Sequence, residues 1–394
     1  MNPKQFMLIA GEASGDLLAA ELVSALREKI PSSILNPPSS PVFFGAGGSR
    51  MAAAGVELAF DLTQLSVIGI SDVLKKYFEF RRLFNQLLKL AIERKPDAII
   101  GVDYGGFNLR FGHAVKEYVR NNPFSKWNPK IIQFVSPQVW ASRPGRANLM
   151  AADYDLLLSI FPFEKDWYAK RVPKLSVEFV GHPMVDRSPK SRVQSPKPEN
   201  AAPTVLLLPG SRKSELQRHL PMMLGALKLI QEKLPASRAK MVLPDEALKQ
   251  LADKLSALPS DTEIQIGNLP QALAQADVAI ASTGTVTVEC AFFGVPTVTL
   301  YKTSWLTYQI AKHIVTVKSL TMPNLLADEE IFPEFIQGAA TAKNIAGAAL
   351  ELLQNEPRRI QIKKRLAEVV SSLGGPGANT RAATAILNLF EAQR

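Results

Sequence analysis

Short, unbroken apolar runs recur along this chain, each closing on a turn of small or hydroxyl-bearing residues and then giving way to helical periodicity. Phe6-Met-Leu-Ile-Ala10, Pro96-Asp-Ala-Ile-Ile-Gly-Val102, Thr204-Val-Leu-Leu-Leu208 and Asp277-Val-Ala-Ile280 are the plainest examples. A strand with no polar alternation is buried on both faces, so it belongs in a parallel sheet covered by helices on each side. The expected class is therefore α/β, doubly wound. The pattern breaks once, at 187–202, where Pro, Ser and charged residues crowd together as in an interdomain linker. It then restarts. With 394 residues the chain can fill two cores, so two doubly wound domains are expected to face each other across a cleft. The first covers 1–186 and the second 203–360. Helices in 361–394 are expected to pack back on the first domain.

Open parallel sheets keep ligands at the carboxyl ends of their strands, and the turns there are informative. Asp277-Val-Ala-Ile280 feeds Ala281-Ser-Thr-Gly-Thr285, which opens a helix ending at Gly294-Val-Pro296. Ser282, Thr283 and Thr285 supply hydroxyls, Gly284 admits a ligand to the backbone, and the helix start supplies unpaired amides. Glu289 stands about 7.5 Å further along that helix at about 1.5 Å per residue, suited to ribose hydroxyls when a diphosphate occupies the turn. A second turn in the same half, Pro209-Gly-Ser-Arg212, places Arg212 beside Gly210 and Ser211 just before a helix, where its fork of donors can grip phosphate. In the first half Gly11-Glu-Ala-Ser-Gly-Asp16 follows the first strand, and Asp103 follows the strand at 96–102. Ser14 or Asp16 is also a natural cap for the helix it begins. The run Gly45-Ala-Gly-Gly48 lacks the third Gly of a dinucleotide fingerprint, since position 50 is Arg50, and no Gly-Lys-Ser/Thr triplet exists for a P-loop.

The lone Cys290 permits no internal disulfide, the first residues enter an apolar strand without a basic leader, and no apolar run approaches the roughly 18 residues of a membrane span. A cytoplasmic protein is expected. Its net charge of +10 suits an anionic partner. Between 72 and 94, aromatic residues occupy almost every side of a helical pattern. Tyr77, Phe78, Phe80 and Phe84 interleave with Arg81 and Arg82, more apolar surface than one core face requires. Part of this segment is expected to lie on an anionic bilayer surface. Ser304 to about Val315 also reads as helix, and Met322-Pro-Asn-Leu-Leu326 as an irregular link bringing Asn324 to a ligand. Cys290 reads as a buried structural thiol, and His113, His219 and His313 as surface or packing residues.

Together these motifs resemble the lipid-A-disaccharide synthases, inverting glycosyltransferases of the GT-B architecture with two Rossmann-like domains. The resemblance runs through Gly11-Glu-Ala-Ser-Gly-Asp16, Gly101-Val-Asp103, Ser136-Pro-Gln-Val-Trp140, Phe161-Pro-Phe-Glu-Lys165, Gly181-His-Pro183, Pro209-Gly-Ser-Arg212, Thr283-Gly-Thr285 with Glu289, and Pro323-Asn-Leu-Leu326. It implies transfer of 2,3-diacylglucosamine from a UDP-diacylglucosamine donor to the 6-hydroxyl of a diacylglucosamine 1-phosphate acceptor, giving a β(1→6) disaccharide and UDP. Asp103 would be the general base. Glu12, Ser14, Gly15, Asp16, Gln138 and His182 would lie on the acceptor side. Gly210, Ser211, Arg212, Ser282, Thr283, Gly284, Thr285, Glu289 and Asn324 would bind UDP. No cofactor and no metal are implied, the inner face of the cytoplasmic membrane would be a partner surface, and a homodimer is left open. Two positions depart from the family pattern: Gly106 replaces a second carboxylate and Ser142 replaces a Trp. A UDP-sugar epimerase shares this architecture and would release UDP without an acceptor lipid. A basic nucleic-acid-binding protein would need a recognition signature that is missing here, so no nucleic-acid partner is expected.

Overall fold

The computed structural model describes residues 4–30, 42–63, 73–187, 202–255, 259 and 262–391, with backbone alone for 73–77. The linker stretch 188–201 and the Tyr77 side chain lie outside the described residues. The chain divides into two compact units, the first made of Met1–Arg187 with Leu373–Arg394 and the second of Ser188–Ser372.

The first unit is built on a seven-stranded sheet of β1 (Gln5–Ala10), β2 (Val42–Gly47), β3 (Glu57–Asp61), β4 (Ala98–Val102), β5 (Lys130–Phe134), β6 (Leu156–Ser159) and β7 (Val177–Phe179), in the order β3-β2-β1-β4-β5-β6-β7. Every pairing is parallel. The apolar runs behave as their composition demands: all of β4 and nearly all of β1 are buried, because helices cover both faces. β3 is missing from the sequence reading. Its residues Glu-Leu-Ala-Phe-Asp alternate weakly, and it forms an edge strand that is only partly buried.

The helix Val73–Arg94 turns one stripe inward. Leu87 and Ala91 are buried, and Phe80 and Phe84 sit edge-on against Phe107 at 5.7 and 5.4 Å. That narrows the expected bilayer surface. Phe80 and Phe84 belong to the core, while Phe78, Arg81 and Arg82 point outward. The last helix, Ala378–Glu391, packs within this unit: Phe390 meets Phe6 edge-on at 6.1 Å and lies beneath the Lys4 ammonium. The helix before it, Glu356–Ser372, belongs to the second unit.

The second unit holds β8 (Thr204–Leu208), β9 (Arg238–Leu243), β10 (Thr262–Ile266), β11 (Val278–Ser282), β12 (Thr297–Tyr301) and β13 (Glu334–Ile336), in the order β10-β9-β8-β11-β12-β13 and again wholly parallel. β13 is a three-residue edge strand too short to show in the sequence. In both sheets the chain starts near the middle, winds outward to one edge, then returns and winds to the other. The strand order therefore reverses between β1 and β4 in the first unit and between β8 and β11 in the second, and at such points two successive connections diverge to leave a crevice.

Candidate functional site

At the first reversal the turns after β1 and β4 meet. A Cβ on Gly11 would fall 2.3 Å from the Tyr104 ring, and one on Gly15 would stand 3.6 Å from the Asp103 Cβ. Only small residues let these loops approach. Burial, with the Glu12 carboxylate nearby, pushes the Tyr104 phenol up to about 12. Glu12, Gly15, Asp103 and Tyr104 thus converge on one crevice, and Ser14 is exposed on the same turn.

Asp103 and Tyr104 both adopt left-handed backbone, at φ 50° and 46°, as does Val135 after β5, at 67°. For residues with a Cβ, and above all a β-branched one, each such conformation costs on the order of 1–3 kcal/mol and persists only where its surroundings enforce it. Two buried carboxamides enforce it here. Gln133 Nε2 donates to the Asp103 carbonyl at 2.8 Å and to the Val135 carbonyl at 3.2 Å, and Asn108 Nδ2 donates to the same Asp103 oxygen at 2.9 Å. Gly101 makes room for both. A Cβ there would lie 2.6 Å from Gln133 Oε1 and 2.8 Å from Asn108 Cγ. The Gly101-Val-Asp103 motif is thereby a device for presenting Asp103 at the end of β4. Sequence reasoning missed Gln133, whose signal was one polar residue between the apolar Ile132 and Phe134 of β5.

The other expected acceptor-side residues divide. Asp16 is a correction: its carboxylate is buried and accepts the amides of Gly48, Arg50 and Met51 at 2.7–3.1 Å, so it closes the start of the neighbouring helix Ser49–Ala53. Neither Ser14 nor Asp16 caps its own helix, whose N-cap is Glu12. The anchored Asp16 also fills the amide nest after Gly45-Ala-Gly-Gly48 that a phosphate would otherwise occupy. Gln138 is exposed beyond β5, close to the crevice through Pro137, which packs against Gly105. His182 stands beyond β7, three strand positions from β4, or about 14 Å along the sheet at about 4.8 Å per strand. Its Nδ1 accepts the Met184 amide at 3.2 Å, its ring lies 5.7 Å from that of Phe161, and burial holds its pKa down at about 4. It is a neutral imidazole apart from the Asp103 crevice.

The motifs at 136–140 and 161–165 form one assembly. Glu164, fully buried, accepts the Trp140 indole N–H at 3.0 Å and the Phe161 amide at 3.3 Å, satisfying the N-cap amide of the helix Pro162–Arg171. Burial lifts its carboxyl to about 7. Ser136 and Tyr168 share a hydrogen bond of 3.1 Å beside it. Trp140 and the loop that carries Gln138 are therefore held from below.

In the second unit, Ala281 pairs with Leu208, so the turn from Ser282 and the turn from Pro209 begin level with each other on adjacent strands. Ser282 is buried at the end of β11, and Thr285 is exposed at the first turn of the helix Thr285–Phe292. Gly284 has φ 128°, and a Cβ there would meet nothing within 4 Å. The backbone demands glycine and the space before it is open. Glu289 lies half-buried on the same helix, while burial raises the neighbouring Cys290 thiol to about 12. Arg212, largely exposed, is the N-cap of the helix Lys213–Lys233. Glu215 accepts the Ser211 amide at 3.1 Å and reaches Arg212 Nη1 at 3.5 Å, bracing Gly210, Ser211 and Arg212 as one turn.

His219 is buried beneath that turn. Its Nδ1 meets the Pro209 carbonyl at 2.9 Å and its Nε2 accepts the Lys302 amide at 3.0 Å, a pairing that requires the neutral ring protonated on Nδ1. Burial lowers its pKa accordingly. It pins the Pro209 turn to the end of β12, a role legible only in its place on the apolar stripe of Leu216, Leu220 and Met223.

Asn324 is a second correction. It is buried, and its side chain is spent within the unit. Nδ2 donates to the Phe332 carbonyl and Glu334 Oε1, both at 2.8 Å, and Oδ1 accepts the Ile331 and Phe332 amides. An amide satisfied on both atoms has no donor left for a ligand, and the segment expected as an irregular link is the short helix Met322–Ala327.

Among the described residues no three of His, Cys, Asp and Glu gather as a metal site, and no helix is long and apolar enough to cross a membrane. Residues 6–388 match the family model described as lipid-A-disaccharide synthetase. The chain is 36% identical to the lipid-A-disaccharide synthase of Trichlorobacter lovleyi, with 99% of this chain and 98% of that protein covered, and 34% identical to that of Myxococcus xanthus at the same coverage. Among solved structures, the UDP-GlcNAc 2-epimerase of Neisseria meningitidis bound to UDP-GlcNAc superposes with a TM-score of 0.61 at 11% identity, over 98% of this chain and 100% of that one. The calicheamicin glycosyltransferase CalG4 gives 0.58 at 14%, over 98% of each chain. At such identities the structural likeness speaks to fold, the GT-B architecture.

Proposed function

The chain belongs to the lipid-A-disaccharide synthetase family of glycosyltransferases, and from that premise we propose that its first unit activates a sugar hydroxyl while its second unit holds a UDP-linked diacylglucosamine. The observation that carries this reading is Asp103. Three left-handed residues and two buried carboxamides are assembled at the reversal of the first sheet, and their joint effect is to fix one carboxylate-bearing turn.

Asp103 takes the proton from the 6-hydroxyl of diacylglucosamine 1-phosphate as that oxygen attacks the anomeric carbon of the donor. The bond from the anomeric carbon to the phosphate oxygen breaks with its electron pair leaving on UDP, and attack opposite the leaving group inverts the centre. Arg212, Ser211 and the amides and hydroxyls from Ser282 to Thr285 stabilise charge developing on the diphosphate, Gly210 and Gly284 let it approach the backbone, and Glu289 holds ribose hydroxyls. Glu12, Ser14, Gly15 and Gln138 shape the acceptor side near Asp103, with His182 further along the carboxyl edge of the same sheet. No step is assigned to a metal. In this reading Phe78, Arg81 and Arg82 face an anionic membrane surface, the inner face of the cytoplasmic membrane, where the acylated substrates lie.

Incubation with UDP-2,3-diacylglucosamine and diacylglucosamine 1-phosphate, followed by mass spectrometry, tests the proposal. A disaccharide 1-phosphate should form with one UDP released, and Asp103→Asn should slow its formation by about 10²–10⁴-fold with an unchanged circular dichroism spectrum. UDP release that needs no acceptor, or an Asp103→Asn variant of near-normal turnover, would overturn it.

A further inference from the structure

The helix Trp305–Ile314 buries none of its residues, yet its outward face carries a cluster of large apolar side chains. Trp305 is 73% exposed, Leu306 64% and Ile310 52%, and Val315 carries the face on past the last turn. At 100° per residue Trp305, Leu306 and Ile310 fall within one sector about 140° wide, so the helix presents its large side chains to solvent instead of to a core. Among the described residues of this unit the other exposed large apolar side chains, Ile266 and Ile360, stand singly on other elements, as scattered surface residues do. Nor is this a frayed segment. Ser304 Oγ accepts the Thr307 amide at 3.2 Å and shares a 2.7 Å bond with its hydroxyl, a complete N-cap.

Along the chain, the charge nearest this face has one sign. From Cys290 to Ala327 the chain has no Asp or Glu, while Lys302 and Lys312 flank the helix and Lys318, which follows it, lies 3.8 Å from Asp328. A tryptophan beside aliphatic residues, with cationic side chains around them on a short helix, is the pattern of a helix lying in the headgroup region of an anionic membrane. At ten residues it extends about 15 Å and cannot span a bilayer. We propose that this face is a bilayer-docking surface by which the second unit rests on anionic phospholipid, a contact separate from the one assigned to Phe78, Arg81 and Arg82. Trp305, Leu306 and Ile310 enter the boundary between headgroups and acyl chains, and the lysines meet lipid phosphates. A soluble protein partner would more naturally match a basic rim with acidic side chains and desolvate the tryptophan in a defined pocket, whereas a bilayer needs only a convex apolar face ringed by cations.

The test uses the full chain without sugar substrates, so its failure leaves the transferase reading untouched. The chain has four tryptophans, and Trp127 and Trp140 are each only 7% exposed, with Trp167 half-buried under the Arg171 guanidinium. Added vesicles of phosphatidylglycerol and phosphatidylethanolamine should shift Trp305 emission to the blue, and lipids brominated on their acyl chains should quench it. Trp305→Phe should abolish most of that response. Leu306→Ser with Ile310→Ser should weaken vesicle binding about tenfold or more, and high salt should weaken it further. Vesicle binding that leaves Trp305 unquenched and the double variant unaffected would overturn the proposal. So would a blue shift that grows with protein concentration alone, which would make a second copy the occupant, or one produced only by a soluble short-chain acyl sugar.

Discussion

Replacing Glu164 with Gln should remove a pH dependence that is built into the first unit. Glu164 is fully buried, and its carboxyl rises from an ordinary 4.5 to about 7 because burial penalises the charge more than the Trp140 and Phe161 hydrogen bonds favour it. Between those values the folded chain holds a proton that the unfolded chain has released. The stabilising term is therefore complete below 4.5 and is lost as pH rises through 7. At about 1.36 kcal/mol per pKa unit the full term is about 3 kcal/mol, of which about 2.5 kcal/mol disappears between pH 5 and pH 8. Glutamine imitates the neutral acid, keeping an oxygen for the Trp140 indole, and does not titrate. Two-unit chains need not unfold in one step, so the measurement should read the first unit alone. Trp127, Trp140 and Trp167 all lie there, and Trp305→Phe removes the remaining signal. In that background, urea unfolding of the parent and of Glu164→Gln should diverge by about 2.5 kcal/mol over this range, the parent losing ground as pH rises. The depressed His182 works in the opposite sense, costing stability as pH falls from 6.5 toward 4, but it is common to both proteins and cancels in the difference. Parallel profiles would refute the buried, protonated Glu164.

Gly284→Ala should weaken UDP binding, measured by calorimetry, by about tenfold, because φ 128° is strained for any residue with a Cβ by on the order of 1–3 kcal/mol even though the space beside it is open. Unchanged affinity would separate that turn from the diphosphate. Asn324→Ala should destabilise the second unit by about 3 kcal/mol in chemical denaturation, since it strands two amides, a carbonyl and the Glu334 carboxylate. It should leave the UDP affinity of the folded protein within about twofold, the outcome that tells a structural Asn from a ligand contact.

The parallel sheets were legible because burial on both faces writes itself as uninterrupted Val, Ile and Leu, which is why β1, β4, β8 and β11 stand out in the bare sequence. Edge strands β3 and β13 were not, since half-exposed strands of five and three residues look like any short mixed segment. The small-residue turns were legible for the same reason as the strands, since a backbone that must approach another group leaves glycine no substitute. What the sequence hid is the direction in which polar side chains point. Asp16 and Asn324 had the chemistry of ligand contacts and sit in motif segments, yet both are consumed by backbone amides, one at a neighbouring helix start and the other in the stretch just after its own helix. Gln133 and His219 carried no motif, yet they fix the Asp103 and Arg212 turns. Composition records what a side chain can donate or accept, and only tertiary structure decides whether backbone takes up that capacity first. A buried polar residue is seldom left unpaired, so the isolated Gln inside β5 and the His on an apolar helix stripe were the two marks from which the supporting layer could have been inferred. Both lie one layer beneath the turns that the motifs identify, which is why the motif residues alone do not explain how Asp103 is held in a left-handed conformation.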